Sequence, residues 1–342
     1  MLILIILINL IWFRISCCNS LDIEKRGKRG RQAFNAFSIF FLTRASIFAC
    51  FMYYVVYGIF YLLSLLPLRV LYLLTDFCYA IIYYVAGYRK EVVMQNLAIA
   101  FPEKTLEERK RIAKQFYRNF TDFFAETIKI FSASDAFLHK HFVPDLRVFE
   151  RLKAEGKKCQ VHLGHNFNWE LGYLACVSQI NLRVLGVYMP LSSSVFERLF
   201  VKLRTRKGGT LLPATNMRNA LLPYRNEPYA LLLVADQSPP YPQNGIWVNF
   251  FGRPTPFVRG PENGARIGNL PVVFCHVKKI KRGHYKGYFD LAVENPGSLP
   301  KGELTKMYAR FLEEKMREQP ENWLWSHRRW KWDWKEEYGP IY

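Results

Sequence analysis

Acidic residues are scarce in this chain. It carries 28 Asp and Glu against 48 Lys and Arg, a formal net charge of +20. Such a surface favours anionic partners: nucleic acid, acidic phospholipid, a phosphorylated sugar or an acidic carrier protein. Nucleic acid has no further support, because helix-turn-helix, zinc-finger and ribonucleoprotein signatures are missing. No C-x-x-C pair occurs either. The cysteines are seven, at positions 17, 18, 50, 78, 159, 176 and 275. That odd number, set in or beside apolar runs, points to buried free thiols facing a reducing compartment and shows no zinc framework. Internal repeats and long low-complexity linkers are also missing. Neither a metal nor a cofactor is expected.

Charge is missing altogether over one long stretch. Between Arg44 and Arg69 lie 24 residues without a single Asp, Glu, Lys, Arg or His. A bilayer crossing takes roughly 20 residues, so this stretch is long enough to span, and its tyrosines suit an interface. A second apolar stretch, Val70–Gly87, contains Asp76 and fits an interfacial position or packing on the first helix. A buried core hairpin is the plainer reading of both. Arg69, Arg89 and Lys90 follow at a level where lipid phosphates would lie. Ahead of them, Met1–Phe13 is an apolar run about one third short of a crossing. The basic run Lys25–Arg31 comes after it, the wrong order for a secretory signal. Met52 opens a segment that looks like a protein N-terminus. We therefore expect 1–51 to be a poorly ordered extension or a misread start, 52–87 a membrane-associated helical segment, and 88–342 a catalytic domain.

The 342 residues, half of them apolar, allow one large domain or two small ones. Thr105-Leu-Glu-Glu108 is a capping box. Ile112, Phe116, Phe120, Phe123, Phe124, Ile128 and Phe131 then recur at helical spacing, as a core stripe or, less simply, as the lining of an acyl channel. From about residue 157 strands and helices alternate. The expected strands are Cys159–Leu163, Leu182–Tyr188, Tyr229–Ala235, Leu270–Lys278 and Gly287–Val293. The expected helices are Trp169–Ser178, Ser194–Arg204, Met217–Tyr224 and Glu303–Arg317. This alternation predicts an α/β fold, a sheet covered by helices.

The candidate chemistry lies in V-H-L-G-H-N-F-N-W-E, residues 161–170. Gly164 permits a tight turn after the strand, and a helix follows. Five residues along a regular helix amount to about 140°, so His165 and Glu170 meet only if His165 lies in the turn and the helix starts after it. Asn166 or Asn168 would then cap that helix. Glu170 would hold one imidazole nitrogen and leave the other as a base. A surface turn with a solvated His and Glu has the same spacing. His162, in the strand, fits a structural role, and a His162/His165/Glu170 metal site lacks known ligand spacing. Arg204 and Arg206 are candidate phosphate or oxyanion contacts or a solvated basic helix end. Asp236 ends an apolar strand as a site-orienting group or an ordinary turn aspartate. The C-terminal run Trp323, Trp325, His327, Arg328, Arg329, Trp330, Trp332 and Trp334 interleaves aromatics with cations, its first two tryptophans also fitting a purely structural role. It suits base stacking or, beside the apolar N-terminus, a lipid interface with Arg328 and Arg329 near phosphates.

The stretch G-H-N-F-N-W-E-L at 164–171 resembles the G-H-F-G-N-W-E block of the bacterial lipid A biosynthesis acyltransferases, the late lauroyl/myristoyl family. Other blocks follow in that family's order. V-M-Q-N-L at 93–97 with F-P-E at 101–103 is similar to its N-L…F-P-E segment, and L-R-T-R-K-G-G at 203–209 to its R-x-R-x-G segment. Ala235-Asp-Gln237, V-N-F-F-G-R at 248–253 and Gly260 resemble its D-Q…F-F-G…G run. P-E-N-W-L-W-S-H-R-R-W-K at 320–331 resembles its C-terminal block. Asn166 and Phe167 stand where the family has Phe and Gly, which bears on the local turn. Phe257 stands where a small hydroxyl residue is usual.

The resemblance implies a glycerol-phosphate-acyltransferase-like sheet domain with an N-terminal transmembrane or membrane-seated helix, on the cytoplasmic side of a bacterial inner membrane. It implies an acyl-acyl-carrier-protein donor, a lipid A precursor as acceptor and direct transfer, with His165 as base, Glu170 orienting it, and a nearby N–H or cation holding the oxyanion. An acidic carrier suits a basic enzyme. An acyltransferase for a glycerophospholipid or lipoamino acid would share this chemistry, and a non-catalytic protein binding anionic lipid would tolerate loss of His165.

Overall fold

The computed structural model describes residues 36–342, with side chains from residue 49 onward. Residues 1–35, most of the expected extension, lie outside the described residues. Two apolar helices come first, α1 (Ala36–Leu65) and α2 (Leu68–Ala80), with Pro67 at the break. A π-helical turn, Ile81–Ala86, prolongs α2 and stops at Gly87, whose φ of 57° suits a residue without a Cβ. Next come α3 (Lys90–Ala100) and α4 (Leu106–Lys129). The capping box opens α4: the Glu108 N–H donates to Thr105 Oγ1 at 3.2 Å and the Thr105 N–H to Glu108 Oε2 at 2.7 Å. Its aromatic stripe is core, with Phe116, Phe120 and Phe123 buried.

Beyond α4, strands and helices alternate as expected. In order they are α5 (Asp135–His141), β1 (Phe142–Pro144), α6 (Arg147–Ala154), β2 (Cys159–Leu163), α7 (Trp169–Gln179), β3 (Arg183–Tyr188) and α8 (Ser194–Thr205). There follow β4 (Thr210–Pro213), α9 (Met217–Leu221), β5 (Tyr229–Val234), β6 (Gly245–Phe250), β7 (Arg253–Val258), α10 (Gly260–Gly268), β8 (Val272–Lys281), β9 (His284–Val293) and α11 (Glu303–Glu318). Seven strands form one sheet in the order β1-β9-β8-β2-β5-β3-β4, and β6–β7 is a separate hairpin. All pairs in the large sheet are parallel except β8–β9. The central strand β2 is almost wholly buried, as a parallel strand covered on both faces must be. The four strands that the alternation did not announce are short edge strands (β1, β4) or carry Pro254 and Pro256 (β7) with their hairpin partner β6. Prolines blur a strand pattern. Cys78, Cys159, Cys176 and Cys275 are buried free thiols, while Cys50 is exposed.

The apolar helices depart from the simplest expectation. The described part of the uncharged stretch after Arg44 exposes Phe51, Tyr54, Leu62 and Leu65 and packs its other side on the domain. Tyr53, Phe60 and Ser64 of α1 are buried, the first two in one cluster with Phe131 of the α4 end and Leu199 and Leu203 of α8. Among the described residues, Leu68–Ala86 is the helix long and apolar enough to cross a membrane. Its one acid, the half-exposed Asp76, meets Arg282 of the β8–β9 turn, which donates to both of its oxygens at 2.7 and 3.0 Å. Arg282 also donates to both oxygens of buried Asp122 in α4, at 2.6 and 2.9 Å. The opposite face exposes Leu73, Phe77, Tyr84 and Val85. Arg282 therefore pins this helix to the large sheet. Its side chain is partly exposed, and Asp122 keeps Thr75 and Lys279 without it, so solvent and these partners cut the loss below that of a fully buried pair. Arg282→Ala is expected to destabilise the domain by about 1–2 kcal/mol, read from the urea midpoint of the purified protein in detergent.

Candidate active site

Strand β2 delivers the site. In a parallel sheet, residues that follow the carboxyl ends of neighbouring strands converge on one edge. β2 and β5 are such neighbours, with Leu163 opposite Val234. The Ala235 N–H donates to the Leu163 carbonyl at 3.0 Å, so the next residue, Asp236, comes level with the turn after β2. Gly164 makes that turn. A Cβ there would lie 3.2 Å from an Asp236 carboxylate oxygen and 3.1 Å from Leu312, so a side chain would press on the acid.

Asp236 is the partner of His165. The ring Nδ1 lies 2.5 Å from Asp236 Oδ1, and the His165 backbone N–H donates to Oδ2 at 2.8 Å. The indole of Trp323 donates to Oδ2 as well, at 2.7 Å. The Asp236 side chain is 1% exposed and that of His165 19%. Burial by itself would push the Asp236 carboxyl up. The His165 charge, the two His165 hydrogen bonds and the Trp323 indole outweigh it and bring it down to about 2. An ionised carboxylate only accepts, so Nδ1 carries a proton, and in the neutral imidazole Nε2 then keeps its lone pair. The amide Nε2 of Gln237 faces that lone pair at 3.2 Å. The edge of the imidazole meets Trp169, with ring centroids 5.3 Å apart and planes at 80°.

The expected His165–Glu170 pair is thus replaced by two separate pairs. Both Glu170 oxygens are taken by Arg204, whose Nε donates to Oε2 at 2.9 Å and whose NH2 group donates to Oε1 at 2.5 Å. This bidentate geometry is the strong form of an Arg–carboxylate contact. Burial would lower the Arg204 guanidinium, but the Glu170 charge and hydrogen bonds raise it. Glu170 sits in the first turn of α7, where a carboxylate also meets the positive end of the helix. Asn168, one of the two expected caps, accepts from the Glu170 and Leu171 N–H groups at 3.0 and 3.2 Å. Its own amide donates to buried Glu126 at 3.0 Å, and Glu126 further accepts from Tyr72 and Tyr285, each at 2.8 Å. Glu126 so ties α2, β9 and the catalytic turn together, and burial pushes its carboxyl up.

The other expected contacts divide. Arg206 does not face a substrate: it donates to the carbonyls of Ile130 and Ala133, just past the end of α4. Arg329 is fully buried, so it does not reach lipid phosphates, whereas Arg328 is exposed. The Arg329 guanidinium lies 4.0 Å from the Phe257 ring and donates to Ser238 Oγ and the Pro256 carbonyl, both at 2.9 Å. Burial draws it down to about 9. Trp323 and Trp325 are buried structural residues rather than lipid anchors, and His327 is buried beside them. The C-terminal strap is held by Asn96 on the Trp325 and His327 carbonyls, at 2.8 and 2.7 Å, and by Asn119 on the Glu321 carbonyl, at 2.9 Å. Phe167, where the resemblance expects glycine, is fully buried and stacks on Phe116, centroids 5.9 Å apart. Gln237 and Trp323 escaped the sequence reading as site residues. The only signal for them was their place beside Asp236 and in the C-terminal block.

A family model described as bacterial lipid A biosynthesis acyltransferase matches residues 40–332. The lipid A biosynthesis palmitoleoyltransferase of Escherichia coli (strain K12) is 22% identical over 248 residues, covering 71% of this chain and 79% of that protein. A lipid A biosynthesis acyltransferase of Shigella flexneri is similar to the same extent, 22% over 248 residues.

The Asp236 carboxyl is held below its ordinary value of 3.8, at about 2. A depressed acid contributes stability that is complete above its unfolded pKa and is lost as pH falls through the folded one. The stability gap between wild type and Asp236→Asn, measured by urea unfolding, is therefore expected to shrink as pH falls from ~4 toward ~2.

Proposed function

The chain belongs to the bacterial lipid A biosynthesis acyltransferase family, and from that premise we propose that it moves a fatty acyl chain from an acyl-acyl-carrier-protein to a hydroxyl of a 3-hydroxyacyl chain on a lipid A precursor, with His165 as general base. One observation carries the proposal: His165 presents a lone pair at Nε2 because the buried, ionised Asp236 holds the proton at Nδ1. An imidazole fixed in that tautomer takes the proton of an alcohol as the oxygen attacks the thioester carbonyl. Asp236 stabilises the imidazolium that forms, the role that motif spacing alone suggests for Glu170. Glu170 and Arg204 instead fix the first turn of α7 against α8, which keeps the catalytic turn in place.

The surroundings suit lipid and carrier. The exposed apolar face of Leu68–Ala86 is flanked by cations that reach back over its tyrosines: Lys90 lies 4.2 Å from the Tyr83 ring and Arg118 5.2 Å from that of Tyr79. Apolar side chains beside such cations suit an in-plane seat on an anionic bilayer. The catalytic domain would lie on the cytoplasmic face of the inner membrane, where the +20 charge also favours an acidic carrier protein.

His165→Ala is expected to abolish transfer in an assay with acyl-carrier-protein donors and a tetra-acylated disaccharide acceptor, without unfolding the chain. Asp236→Asn is expected to lower kcat by about 10²–10⁴-fold. Unaltered lipid A in the mass spectrum of a deletion strain would reject this acceptor. For the membrane seat, the pair Phe77→Glu and Val85→Glu is expected to lose flotation with vesicles containing anionic lipid; retention of flotation would exclude this face as the seat.

A further inference from the structure

We propose that Gln237 is a further catalytic residue: its side-chain amide covers the base in the free enzyme and, once the acceptor hydroxyl displaces it, donates to the oxyanion. This inference rests on the acyl-transfer reading of the same site. Acyl transfer needs a donor where negative charge develops, and three arginines near that task by sequence are turned toward other groups. Arg204 spends its fork on Glu170, and Arg206 caps the carbonyls of Ile130 and Ala133. Arg329 is buried behind Phe257. The Gln237 Nε2 lies 3.2 Å from His165 Nε2, the nitrogen that receives the proton. Only a donor can face that lone pair, so the NH2 end of the amide, not its carbonyl, points at the reaction position. The backbone on both sides of Gln237 is fixed. Asp236 accepts from three groups, and Ser238 is tied to Arg329 in both directions, donating from Oγ to the Arg329 carbonyl at 2.7 Å and accepting from its guanidinium at 2.9 Å. Gln237 can therefore turn its side chain without moving the Asp236–His165 pair.

The acceptor hydroxyl enters at about 2.8 Å from His165 Nε2, the place the amide held. Its O–H bond breaks toward Nε2 while its oxygen bonds to the thioester carbon, and the carbonyl electron pair moves onto oxygen. The displaced Gln237 N–H donates to that oxyanion. Collapse restores the carbonyl and breaks the C–S bond, and the carrier thiolate takes the proton back from the imidazolium. The ester and the free carrier thiol are the only products, and no oxidant or reductant is needed.

The full-length enzyme in detergent tests this with Gln237→Ala, Gln237→Glu and the shape-preserving Gln237→Met, against wild type and His165→Ala. Loss of one oxyanion donor costs about 10²–10³-fold in kcat. We expect that loss in Gln237→Ala and Gln237→Met with KM within about threefold of wild type, and a larger loss in Gln237→Glu, whose carboxylate repels the oxyanion. A kcat for Gln237→Met within about threefold of wild type would overturn the oxyanion role. The cover has its own readout, which needs no turnover: the rate of diethyl pyrocarbonate modification at His165, mapped by mass spectrometry. It is expected to rise several-fold in Gln237→Ala, and an unchanged rate would overturn the cover. Wild-type transfer that survives His165→Ala would instead sink the reading on which this one rests, so the two failures are distinguishable.

Discussion

A carboxylate buried at the end of one strand holds the site together. Asp236 sits where water cannot solvate its charge, and such a charge persists only when donors surround it. Three do: the His165 ring, the His165 backbone and the Trp323 indole. Each donor belongs to a different constraint. The ring fixes the tautomer of the base, the backbone N–H fixes the turn after β2, and the indole fixes the C-terminal strap. The acid therefore positions the base by the same bonds that keep its own charge folded inside.

A second buried acid has the corresponding role in the adjoining layer. Glu126 gathers Tyr72 from the apolar helix, Tyr285 from β9 and Asn168 from the head of α7. Asn168 caps the helix that starts just after His165. Together with the Arg282 bridge between Asp76 and Asp122, this makes the apolar helix a packed element of the sheet domain. The apolar face, the helix cap and the base then form one connected body rather than an enzyme hung from an anchor.

Much of this was legible in the residues. The strand before His165, the box at Thr105 and the helix after Asn168 follow from local rules, because a cap or an alternation needs only neighbours in sequence. The partner of His165 was not legible for the opposite reason. Glu170 is five residues away and Asp236 seventy-one, and only the parallel pairing of β2 with β5 brings the second alongside. Spacing within a motif thus suggested the wrong acid, while the sheet register supplied the right one. The basic residues were hard to read for a related reason. A cation's role depends on what it meets: Arg204 meets a carboxylate, Arg206 two carbonyls, and Arg329 an aromatic wall.

Trp323 closes the site from the last tenth of the chain. Synthesis runs from the amino end, so every strand of the large sheet is made before the indole that completes the Asp236 environment. The same geometry makes a late stop codon costly: it leaves the large sheet whole and its acid short of a donor.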